Sequence, residues 1–125
     1  MDIQFGPEPD RVVVRMGGKL TFADVASAYQ AMLDHPEFRS GMEALWRFEN
    51  VEGPGLSSEE IRNVVSIQQD TISRRGPTRV AIYVERDLDF GIVRVYEALM
   101  GAVHIDVRGF RDLDEATRWL DHPGD

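Results

Sequence analysis

An α/β fold is predicted, and three observations predict it. Val80, Ala81, Ile82, Tyr83 and Val84 form an unbroken apolar run of strand length, the pattern of a parallel strand covered on both faces. Beyond the polar corner Glu85-Arg86-Asp87 the period changes, and Ile92, Tyr96, Leu99 and Val103 recur at helical spacing. Short apolar runs alternate with one-sided helical stretches along the rest of the chain. The expected order is β-β-α-β-α-β-α-β-α, a mostly parallel open sheet of about five strands in one domain spanning residues 1–125.

Ile3 and Phe5 alternate with polar residues, and Gly6-Pro7-Glu8-Pro9-Asp10 supplies turn chemistry. Arg11 to Met16, carrying Val12, Val13 and Val14, completes an antiparallel hairpin that Gly17-Gly18 is expected to end. Thr21 and Asp24 stand at capping-box spacing before a helix from Phe22 to Leu33, in which Val25, Ala26, Tyr29, Met32 and Leu33 share a face. His35-Pro36 closes it, because the residue before proline is pushed out of the helical region.

Ala44, Leu45, Trp46 and Phe48 predict a second inner strand, and Arg47 within it implies a face that is wet or meets a partner. ENVEGPGL reads as a loop. Ser57 and Glu60 form a second capping box, opening a helix with Ile61, Val64, Val65, Gln68 and Ile72 on its buried stripe. Arg74-Arg75 favour its C-terminal dipole end before Gly76-Pro77 stops it. After the central strand and helix, Ile105, Val107 and Gly109 alternate with His104, Asp106 and Arg108 as an edge strand does. Asp112 caps a last helix with Leu113, Ala116 and Leu120 inward and Trp119 over the rim, and His122 to Asp125 read as a frayed end.

With 42% hydrophobic residues in 125, the chain can bury a real core. Its 22 acidic and 14 basic residues give a net charge of -8, which opposes attraction to nucleic acid and to anionic membranes. The absence of cysteine excludes disulfides, thiolate metal sites and a cysteine nucleophile. MDIQFGPEPD lacks a basic region followed by an apolar stretch, and no segment is long and apolar enough for membrane insertion, so a cytoplasmic location is expected.

Open parallel sheets bind ligands beyond the carboxyl ends of their strands. That rule selects the strand ends Glu49-Asn50, Glu85-Arg86-Asp87 and Phe110-Arg111 with the helix openings near Ser57 and Asp87, and Glu49, Asn50, Ser57, Arg86 and Asp87, together with the neighbouring Ser58, are the candidate contacts for a ligand or partner. Asp87 also suits the N-cap of the helix that follows, and Ser57 is both a cap and a candidate phosphoacceptor. In that helix Val93, Val95 and Met100 widen the apolar surface. A deeply packed helix, a homodimer face or the wall of an apolar pocket would each explain it, with Phe90, Arg94 and Tyr96 the residues to watch. Neither the carboxylates nor the histidines match a metal-binding or catalytic motif, so no metal and no cofactor are expected.

GGKLTFADVASAYQAML, TRVAIYVERDLDFGIVRVYEAL and VRGFRDLDEATRWL resemble stretches of the small SpoIIAA-like, or STAS-like, bacterial family. The resemblance implies a hairpin followed by turns of a β-α superhelix, in a fold whose members include anti-sigma-factor antagonists, transporter cytoplasmic modules and relatives that hold lipids. The aspartate-serine-serine-glycine type motif of the phosphoregulated antagonists is missing from Glu49 to Ser58. Arg47-Phe48-Glu49 reverses the charges of the family's acidic-apolar-basic triplet.

Three functions are therefore expected in descending order. First is a non-enzymatic STAS-like regulatory module acting through a protein partner or homodimer. Second is a carrier or sensor of a small apolar, lipid-like ligand, and last an acid/base enzyme using the carboxylates at the strand ends.

Overall fold

A computed structural model describes residues 1–8, 10–103 and 105–122. Two expected features lie partly outside those residues, and one start point lies wholly outside: Pro9 of the first turn, Pro123 to Asp125 of the frayed end, and His104 at the start of the last strand.

The strands are β1 (Asp2–Phe5), β2 (Arg11–Lys19), β3 (Glu43–Glu52), β4 (Thr78–Val84) and β5 (Ile105–Phe110). The α-helices are α1 (Phe22–Asp34), α2 (Ser58–Asp70), α3 (Ile72–Arg75), α4 (Asp87–Leu99) and α5 (Leu113–Asp121). The strands form one mixed sheet in the order β1-β2-β3-β4-β5, β1 antiparallel to β2 and every other pair parallel. The α/β class and the five-stranded sheet agree with the sequence pattern.

The sequence leaves the placement of the helices open, and the two faces are covered unequally. Val12, Val14 and Met16 of β2, Ala44 and Trp46 of β3, and Val80, Ile82 and Val84 of β4 point to a near face. There they pack against α1, α2 and α4 through Tyr29, Met32, Ile61, Val65, Val93 and Tyr96. Leu45 and Ala81, one residue out of phase, point to the far face and meet Ala116, Trp119 and Leu120 of α5. Trp119 does not sit over the rim as expected. It is buried, with the Arg79 and Arg108 guanidiniums 4.1 Å and 5.1 Å from its ring centre, so two cations lie over the indole.

Two strands run further than their sequence implies. β2 continues through Gly17-Gly18 to Lys19, and β3 takes in the ENVE segment expected to be a loop. Between Met16↔Phe48 and Gly18↔Val51 the register slips, so Glu49 and Asn50 together face Gly17. This is a β-bulge. Asn50 takes φ 57°, which asparagine tolerates better than most residues. The Glu49 carbonyl oxygen occupies the place where a Cβ on Gly17 would lie, so only glycine permits the approach.

Both capping boxes form at Thr21/Asp24 and Ser57/Glu60. The second helix breaks at Thr71 and continues as the single turn α3, whose last residue departs from expectation. Arg75 does not serve the exposed dipole end of a helix. It is 1% exposed and donates from Nη1 to the Met42 carbonyl at 2.5 Å. Val93 of α4 and Met100 just beyond it are buried while Val95 is exposed, so two of the three residues that widen the apolar surface go into packing. Val93 lies against Gly109 of β5, where a Cβ would come within 2.5 Å of its Cγ1.

Candidate functional site

Between the near face and the helices lies a cavity of about 100 Å³. Its floor is Trp46, Phe48, Val80, Ile82 and Val84 from the two central strands. Tyr29 contributes from α1, Ile61 and Gln68 from α2, and Ile92 and Tyr96 from α4. The sequence builds these walls by its periods: strand residues two apart share the floor, and helix residues three or four apart share a wall. From Val80 to Val84 the floor runs about 13 Å at ordinary strand rise.

Few polar groups interrupt this lining, and most are satisfied locally. Gln68 Nε2 donates to Tyr96 Oη, and the Tyr29 hydroxyl shares a 2.9 Å hydrogen bond with Thr71 Oγ1. Burial pushes the pKa of both tyrosines up, so both are neutral at ordinary pH. Arg75 also lines the cavity. Its Nη2 has no hydrogen-bond partner, and it makes no ion pair with any described residue. Burial lowers its pKa to about 10, against weaker opposing contributions from Tyr29 and Tyr96.

At the carboxyl end of the strands the cavity is bounded by Gly55 and Leu56, in the loop between β3 and α2. Arg86 holds this loop, donating from Nη1 to the Gly53 carbonyl at 2.9 Å while pairing with the buried Asp89. Gly55, at φ 73°, packs so closely that a Cβ there would meet Ile92 Cδ1 at 3.1 Å and Asp89 Oδ1 at 3.2 Å. Glu60 ties the neighbouring helix starts together, accepting from Ser57 N at 2.9 Å and from Phe22 N at 3.2 Å.

Of the nine residues selected from sequence, Tyr96 alone lines the cavity, and Arg86 holds its loop. Glu49 sits in the bulge and pairs with Arg47 at 2.8 Å, while Asn50 N donates to Glu85 Oε1 at 2.7 Å. Ser57 caps α2, its hydroxyl accepting from Glu60 N at 3.1 Å, and Ser58 is the exposed first residue of that helix. Asp87 is not the N-cap of α4. Arg86 holds that position, and the exposed Asp87 carboxylate accepts from Arg111 instead. Phe90 is half-buried beneath the exposed Arg94, 5.9 Å from guanidinium carbon to ring centre. Glu49 and Asp87 therefore point to separate arginines and share no pocket.

Sequence reasoning missed Arg75, Asp89 and the pairing role of Gln68. Gln68 left a signal, since it falls on the buried stripe of Ile61 and Val65 where an apolar residue would be usual. No family model matches the chain, and no curated protein matches it.

Proposed function

We propose that this chain is a STAS-like, non-enzymatic binding module, a carrier or sensor of a small apolar ligand. One observation carries the reading: a partly open apolar cleft, floored by Trp46, Phe48, Ile82 and Val84, ends under a loop held by Arg86. An apolar cleft with a few convergent polar groups is the usual form of a small-molecule site. The hairpin followed by β-α units is compatible with STAS-like kinship, which remains part of the proposal.

Titration with 1-hexanol, read by the fluorescence of Trp46, tests this. Saturable change in emission supports a binding cavity, and a strictly linear response up to the solubility limit sinks it. Trp119 lies on the far face and adds only a constant background.

A second reading, a module acting through a protein partner or homodimer, is favoured by the part of the far face that α5 does not cover. There Arg15 and Arg47 stand directly opposite each other on β2 and β3, next to Tyr83. Glu49 already pairs with Arg47, so the exposed Arg15 is the cation that an acidic partner surface would meet. Light scattering across protein concentrations separates a homodimer from a monomer awaiting another partner.

A further inference from the structure

Resting on the reading of the cavity as a ligand site, we infer that its occupant is an amphipathic carboxylate, an acyl chain whose head group meets the Arg75 guanidinium. Two buried arginines make the contrast. Arg11 pairs with Glu43 at 3.2 Å and Asp121 at 2.9 Å. Arg75 has no carboxylate partner among the described residues, in a chain with 22 acidic side chains against 14 basic. A buried cation without a counter-charge is costly, and hydrogen bonding to Met42 O and stacking 5.5 Å from Phe38 satisfy only part of it.

The vacant donor is Nη2, itself covered by its neighbours, and it belongs to a residue lining the apolar cavity, so a head group meets it once the guanidinium turns toward that space. Tyr96 lines the same space. Its oxygen accepts from Gln68, which leaves its hydroxyl hydrogen to donate elsewhere. One guanidinium and one phenol suit a monoanion with two oxygens, whereas a phosphate dianion would bring charge that nothing else in the cavity balances. Asp89 also borders the cavity, but Arg86 already neutralises it.

Size sets the chain. The space is about 100 Å³, so a chain longer than a few carbons must reach Leu56 and the loop. A short to medium straight chain is the best match, its head at Arg75 and its tail along Val80, Ile82 and Val84.

The test titrates butanoate, hexanoate and octanoate, each against the alcohol and the amine of the same length, with Trp46 emission as the readout. The acids are expected to bind about tenfold or more tightly than the alcohols, the net worth of a charge-assisted hydrogen bond, and the amines more weakly still. Arg75→Met should erase the preference for the acid over the alcohol of the same length. Equal affinity for acid and alcohol, or an acid preference that survives Arg75→Met, overturns the carboxylate assignment while the apolar cavity stands. Failure of every compound to bind overturns the cavity reading with it. Should Arg75→Met not fold, the wild-type comparison of acid with amine decides, and amines binding as well as acids defeat the assignment.

Discussion

Arg86 and Asp89 face each other in a two-pronged pair, Nε to Oδ2 at 2.7 Å and Nη2 to Oδ1 at 2.9 Å, and the third arm of the guanidinium reaches the Gly53 carbonyl. The carboxylate is nearly buried and α4 begins beside it, so the pair joins a helix start to the loop bordering the cavity. A planar fork is needed for this, and lysine cannot supply it. Arg86→Lys should therefore speed amide exchange at Gly53 and Leu56 and shorten the residence of any bound ligand, while the β4 amides stay protected. Hydrogen exchange with mass readout checks it, and unchanged exchange in the loop would refute the role.

Two glycines of the same loop separate backbone strain from crowding. Gly53 and Gly55 both have positive φ, 76° and 73°, yet a Cβ on Gly53 meets nothing within 4 Å. Gly53→Ala should cost about 1 kcal/mol from its backbone conformation alone. Gly55→Ala adds the contacts with Ile92 and Asp89 and should cost roughly 1 kcal/mol more. Urea unfolding of the two variants measures the difference.

The Gly17 bulge makes a sharper demand. Because the Glu49 carbonyl fills the Cβ position, Gly17→Ala must push β2 and β3 apart where they meet the bulge. A loss of about 1–3 kcal/mol is expected in urea unfolding. Gly18→Ala, with φ 73° and nothing within 4 Å, should lose less.

Within the cavity, Tyr96→Phe leaves the Gln68 amide with no partner and should destabilise by about 1–3 kcal/mol. Replacing both, Tyr96→Phe with Gln68→Leu, removes the orphaned group and should recover part of the loss. A double-mutant cycle in urea tests this, and strict additivity would count against it.

Acid stability should depend on Glu60. Hydrogen bonds from Ser57, then from Phe22, hold its pKa below the ordinary 4.5. A depressed folded-state pKa contributes stability that is full above the unfolded value and disappears as pH falls through the folded one. Asp34, lowered by Arg74 and Gln30, acts in the same direction. Glu60→Gln should thus flatten the decline in stability below about pH 4.5 relative to the parent, as followed by urea midpoints across that range.

What the sequence made legible was local. Thr21/Asp24 and Ser57/Glu60 announce their helices because a cap and its partner lie three residues apart. Val80 to Val84 announces a central strand by composition alone. The bulge at Glu49-Asn50 was hidden, since it depends on Gly17 lying opposite, far away in the chain. Asp87 looked like a cap by residue type, but Arg111 draws its carboxylate away from the helix start. Arg75 looked like an ordinary arginine at a helix end, and only the approach of Met42, Phe38 and Tyr29 buries it. Sites assembled from separate elements leave few marks in any one of them.

Glu97 of α4 accepts from the Gly109 amide of β5 at 2.8 Å, and β5 is a border strand of the sheet. That border therefore has a donor already engaged where an incoming strand would need it. A chain lending a strand of its own on that side would first have to displace Glu97.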